Sequence, residues 1–115
     1  MSEEEKNVII LLKKAPHGTL YPVEGLRMSV ALSGDLEPTT IALNDAVYTF
    51  LKASDIHMAE HHIKFLVDID LDIIVDKKAL DERGISEADL IEEVTVKEHD
   101  EILNLISESD LVIPF

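Results

Sequence analysis

Five short apolar runs, each separated from the next by a helical pattern, constrain this chain more than any other feature. They are Val8–Leu12 (VIILL), Thr39–Leu43 (TTIAL), Leu71–Val75 (LDIIV), Val94–Val96 and Leu111–Ile113 (LVI). Runs with little apolar–polar alternation mark strands covered on both faces, as in a parallel sheet. The spacing predicts the helices between them. Val23, Leu26 and Val30 lie on one face of a first helix, with Pro22 in its first turn and Gly34 and Asp35 stopping it. Val47, Phe50 and Leu51 mark a second helix, with Asn44 or Asp45 expected as its N-cap. Ala59, Ile63, Leu66 and Val67 mark a third, and Ala79 and Leu80 belong to a short fourth that ends at Gly84. SEAD, Ser86–Asp89, resembles a capping box with aspartate in the usual glutamate place. Ile102, Leu103 and Ile106 mark the last full helix.

Strands alternating with helices imply right-handed crossovers. The expected fold is therefore α/β: an open, mainly parallel five-stranded sheet with helices on both faces, in three layers. Strand order is not readable from the spacing. Residues 1–7 are expected to form a flexible acidic tail, and residues 8–115 a single domain.

Composition limits the functions available. The chain has 24 acidic against 10 basic residues and a formal charge of −14. Such a surface repels phosphate backbones and anionic lipid, so no direct nucleic-acid binding and no membrane association are expected. No apolar run approaches the roughly 18 residues of a membrane span. MSEEEKN at the start is unlike a secretory signal, and the cytoplasm is the expected compartment. The chain contains no cysteine, which excludes disulfides, thiolate metal sites and a thiol nucleophile.

In open parallel sheets, ligands bind beyond the carboxyl ends of the strands. Three segments qualify: Lys13–Arg27, Asn44–Tyr48 and Asp76–Leu80. Within them His17, Tyr21, Glu24, Asn44, Asp45 and Asp76 are the crevice candidates, supplying an imidazole and carboxylates suited to acid–base work. Each has a structural alternative. Asn44, Asp45 and Asp76 suit helix capping, and a carboxylate that accepts free helix N–H groups is a weak base. His17 suits a loop hydrogen bond to backbone. Gly25 inside a helix costs about 1 kcal/mol relative to alanine, which suggests close approach by another backbone. Neither Gly-rich phosphate motif occurs.

No cofactor and no metal are expected. His57 and His61 are four apart, as ligands on one helix face can be, but no third ligand accompanies them. His62 shares the stripe of Ala59, Ile63 and Leu66, and reads as a packed or interface residue. DIDLD, Asp68–Asp72, lacks the glycine and distal glutamate of a calcium loop. It reads as a solvated helix end running into a strand.

VIILLKKAPHGTLYPVEGLRMSVAL, LNDAVYTFLKAS, ALDERGISEADL and DLVIPF together resemble the DsrE/DsrF/TusC-like sulfur-relay family, nearest its DsrF/TusC branch. The resemblance implies a compact α/β fold and assembly into oligomers. It also implies, in some subunits, a persulfide-bearing cysteine just after the third strand. Counted back from Gly84, that position is Asp76 here. A helix N-terminus stabilises a thiolate, and it stabilises a carboxylate for the same reason, but aspartate cannot carry sulfur. The expected function is thus a non-catalytic, oligomer-forming subunit of an intracellular sulfur-relay system, in tRNA thiolation or sulfur oxidation. Its partners would be its own copies or cysteine-bearing DsrE/TusD-like paralogues. The alternative is a small-molecule-binding protein or hydrolase-like enzyme that uses the strand-end crevice.

Overall fold

The computed structural model describes residues 7–16, 19–54 and 57–115. Its elements follow the expected order: β1 (Val8–Leu12), α1 (Tyr21–Leu32), β2 (Thr39–Ala42), a 3-10 segment (Asn44–Phe50), α2 (Glu60–Asp68), β3 (Ile73–Asp76), α3 (Lys77–Glu82), a second 3-10 turn (Glu87–Asp89), β4 (Thr95–Lys97), α4 (His99–Ser107) and β5 (Leu111–Pro114). All neighbouring strands pair in parallel, and the sheet order is β4-β3-β2-β1-β5.

That order explains how helices reach both faces. From β1 to β4 the chain steps one strand at a time across the sheet, so same-handed crossovers keep α1, α2 and α3 on one face. Val8, Ile10, Leu12, Ile73 and Val75 point there and pack with Leu26, Phe50, Ile63, Leu66 and Leu80. The last connection runs from one edge back to the other, and the same handedness places α4 behind the sheet. There Ile9, Ile41 and Ile74 are buried under Ile102, with Leu105 and Ile106 packed beside them. Strand residues of both parities are thus covered, which is why these runs do not alternate.

Local signals account for most element ends. Pro22 lies in the first turn of α1, where a missing N–H loses nothing. Gly84 has φ +66, and the chain closes α3 with bonds from Ile85 N–H to Leu80 C=O (2.9 Å) and from Gly84 N–H to Asp81 C=O (3.3 Å). These are the two bonds of a Schellman ending, which favours glycine at its left-handed residue. Ser86 and Asp89 form the expected reciprocal capping box. Asp70 (φ +62) turns the exposed end of α2 toward β3, in keeping with the solvated reading of DIDLD.

Several expectations are corrected. The second helix is a 3-10 segment whose N-cap residue is Leu43, with no side-chain cap. Asn44 (φ +51) serves instead as the left-handed corner by which the chain leaves β2, a conformation asparagine tolerates better than most residues. Gly25 is approached by side chains rather than by backbone: a Cβ there would collide with Leu12 and meet the Phe115 ring at 3.2 Å. Leu103 is exposed, and Leu105 packs on the sheet in its place. Val67 is likewise exposed on α2. Asn7, at the end of the expected acidic tail, donates its N–H to Asp110 Oδ2 (2.7 Å) and accepts from Asp110 N–H (2.8 Å). Among the described residues, no helix is long and apolar enough to cross a membrane.

Candidate functional site

The strand-end rule points first to the place where strand order reverses, between β1 and β5. Here that place is filled. Phe115 donates its N–H to Leu11 C=O (2.8 Å) and accepts from Lys13 N–H (3.1 Å), and its ring lies over Gly25. The polar corner with the most developed geometry lies two strands away, at the ends of β3 and β4.

Ile73, Ile74 and Val75 are nearly inaccessible, and β3 ends on Asp76, itself only 3% exposed. Strand alternation puts Asp76 on the α4 side of the sheet, like Ile74. It is also the N-cap of α3. Its Oδ1 accepts the Lys78 backbone N–H at 3.2 Å, as the capping reading expects. Its other oxygen, Oδ2, is 3.0 Å from Nδ1 of His99, the first residue of α4. Sheet register makes this contact. Asp76 pairs with Lys97 across β3 and β4, so the residue two positions further on begins α4 beside the carboxylate. An ionised carboxylate only accepts, so Nδ1 carries the shared proton. When the ring is neutral, that tautomer has a bare lone pair on Nε2. The His99 side chain is 30% exposed. It lines a groove with Lys77, Lys78, Asp81, Glu82, Glu98 and Asp100.

The other sequence-nominated residues stand apart from that groove. Asp45 receives Arg83 Nε (3.0 Å) and Nη2 (2.9 Å), which ties the 3-10 segment to the carboxyl end of α3. Asn44 is exposed next to it. Tyr21 is half exposed at the start of α1, with the Lys14 ammonium 5.8 Å from its ring centroid, a cation–π arrangement. Glu24 is exposed one turn on, 4.0 Å from Arg27. His17 lies outside the described residues. None of Tyr21, Glu24, Asn44 or Asp45 lines the groove beside His99.

His99 escaped the sequence reading. The strand-end rule, extended to the fourth apolar run, nominates Lys97–Asp100 on the same grounds as Asp76. His57 precedes α2, so it does not share a helix face with His61. Among the described residues, no three His, Asp or Glu side chains are grouped to hold a metal.

His62, on α2, is held below the ordinary imidazole value of 6.5, first by burial and then by the charges of Arg27 and His61. The folded chain therefore resists protonation that the unfolded chain accepts. Stability is expected to fall as pH drops from 6.5 toward the lower folded value, and to lose nothing more from this group below it. Urea unfolding across that window should show a shallower decline in His62→Gln than in the parent. Parallel curves would place the loss in other groups.

A five-stranded parallel sheet ordered 4-3-2-1-5, with an aspartate-capped helix after its third strand, defines a compact open α/β protein in which that strand-to-helix corner is the polar centre. The chain belongs to the DsrE/DsrF-like family, whose model matches residues 6–115. The intracellular sulfur oxidation protein DsrF of Allochromatium vinosum is 30% identical, with 100% of both chains covered. The crystal structure of the ychN protein from E. coli superposes with a TM-score of 0.82 at 24% identity, covering 97% of this chain and 100% of that one. MTH1491 of Methanobacterium thermoautotrophicum, described as a protein of unknown function, superposes at 0.71 with 16% identity over the same shares. At those identities the two structures speak to fold alone.

Proposed function

We propose that this chain is a non-catalytic, oligomer-forming subunit of an intracellular sulfur-relay system, non-catalytic in that it holds no sulfur covalently. One observation carries the reading: a chain similar along its whole length to a sulfur oxidation protein contains no cysteine. Asp76 stands at the position where the family resemblance puts the persulfide cysteine. There it meets the helix N-terminus with a carboxylate instead of an activated thiolate. Residues 8–115 act as one domain in the cytoplasm. The partners are further copies of the chain or cysteine-bearing DsrE/TusD-like paralogues, in tRNA thiolation or sulfur oxidation.

Exposed apolar side chains supply contact surface. Phe65 lies on α2, with Met58 before that helix and Ile69 at its end, while Leu103 stands on α4 and Leu111 on β5. A specific interface buries roughly 1,200–2,000 Å² in total, within reach of a domain this size. Size-exclusion chromatography with light scattering, on the chain alone and mixed with each cysteine-bearing paralogue of the same organism, tests the reading. An assembly larger than the monomer is expected in at least one mixture. A monomer that ignores every paralogue would overturn it.

The crevice-enzyme alternative gains less. It needs His17, Tyr21, Glu24, Asp45 and Asp76 to converge, whereas Asp45 is engaged by Arg83 and Asp76 by His99.

A further inference from the structure

We propose that His99 is a proton acceptor for a thiol or persulfide that a partner subunit presents to the groove between α3 and α4, with Asp76 as its positioning residue. The proposal rests on the sulfur-relay reading and names what this chain would contribute to it. A carboxylate only 3% exposed, with one oxygen spent on a helix cap and the other 3.0 Å from an imidazole nitrogen, fixes the ring rather than meeting solvent. It selects the tautomer with the proton on Nδ1, the less common one for a free imidazole, and so leaves Nε2 basic. The ring is 30% exposed and borders the groove, so that nitrogen is within reach of an incoming group. Lys78 lines the same groove, and among the described residues its ammonium has no ion-pair partner. It would meet the anion that forms.

The step is a proton transfer. The S–H bond breaks, its electron pair stays on sulfur, and an N–H bond forms at Nε2. The imidazolium charge is balanced by the Asp76 carboxylate against Nδ1, and no oxidation state changes. Thiolate, not thiol, is the nucleophile in sulfur exchange, so raising the thiolate fraction speeds transfer without this chain carrying sulfur itself.

Two measurements decide it. Nitrogen-15 NMR of the imidazole in the isolated chain, at alkaline pH where the ring is neutral, should show the proton on Nδ1. A proton on Nε2 would overturn the proposal. The second uses the complex with a cysteine-bearing paralogue and follows alkylation of the paralogue's cysteine by iodoacetamide at neutral pH. Wild-type complex should react about tenfold faster than the His99→Gln complex. Glutamine keeps a donor for Asp76 but has no basic nitrogen, so a purely structural role would leave the two rates equal. Equal rates in intact complexes overturn the proposal while the relay reading stands. Failure of every cysteine-bearing paralogue to bind overturns the proposal, and the relay reading falls with it only if the chain is also a monomer. Asp76→Asn, which keeps an N-cap, should lower the same rate and shift the ring's tautomer, as a positioning role requires.

Discussion

Replacing Phe50 with alanine should destabilise the chain by about 3–5 kcal/mol, the range for removing a fully buried aromatic ring. Phe50 is completely buried, and it heads the largest inaccessible side chains of the described residues. It ends the 3-10 segment, a short element that makes few regular hydrogen bonds of its own and is held chiefly by what it buries. The same residue also ties down a neighbour through its backbone: its C=O accepts the Ile91 N–H at 2.9 Å, just before β4. Loss of the ring thus opens a cavity where β3, α3 and the 3-10 segment meet. The surroundings are β-strand residues and a capped helix, which cannot collapse inward far enough to fill it. Against a typical total stability of about 5–15 kcal/mol, the variant should be marginal at room temperature. Urea unfolding should show a sharply lower midpoint with the slope unchanged. A loss under about 1 kcal/mol would mean the segment repacks freely and is not part of the main core.

How much of this molecule is visible in the residues alone depends on the range of the interaction concerned. The strands were legible because each run is short and mostly apolar, most clearly VIILL, whose predicted bounds coincide with β1. The Ser86 capping box, the Gly84 stop and the Asp76 cap were legible because their partners lie within five residues. Strand order was not legible, since pairing β5 beside β1 joins residues about a hundred positions apart and leaves no local trace. The 3-10 character of Asn44–Phe50 was hidden for a related reason. Val47 and Phe50 bury equally well on a 3-10 or an α-helical stretch, and the choice follows from how Asn44 turns out of β2. The candidate site divides along the same line. Asp76 was identifiable as a capping acid at a strand end, but His99 is 23 residues away. Only the β3–β4 register, Asp76 against Lys97, brings the two together.

Asp76→Ala should cost about 2–4 kcal/mol, and the way that loss divides tests what the carboxylate holds. Removing an N-cap accounts for about 1 kcal/mol, because the Lys78 N–H loses its acceptor. Removing the acceptor of the His99 Nδ1–H adds about 1–3 kcal/mol, since a half-buried donor is left facing a hole. Asp76→Asn separates the two contributions. Asparagine caps as well as aspartate with its one oxygen, and its NH2 can donate to Nδ1 of the other imidazole tautomer, so it should lose only about 1 kcal/mol. In a double-mutant cycle with His99→Ala, the Asp76→Ala and His99→Ala losses should fall short of additivity by about 1 kcal/mol. The consequence reaches past the corner itself. The Asp76–His99 bond pins the amino end of α4, the helix that seals Ile9, Ile41 and Ile74 on the second face. Hydrogen exchange at the Ile102 amide, bonded to Glu98 C=O at 3.1 Å in the first turn of α4, should therefore quicken in Asp76→Ala more than in Asp76→Asn. Unchanged exchange at Ile102 together with additive losses would show that Asp76 serves α3 alone, and that α4 is seated by its apolar face without help from the carboxylate.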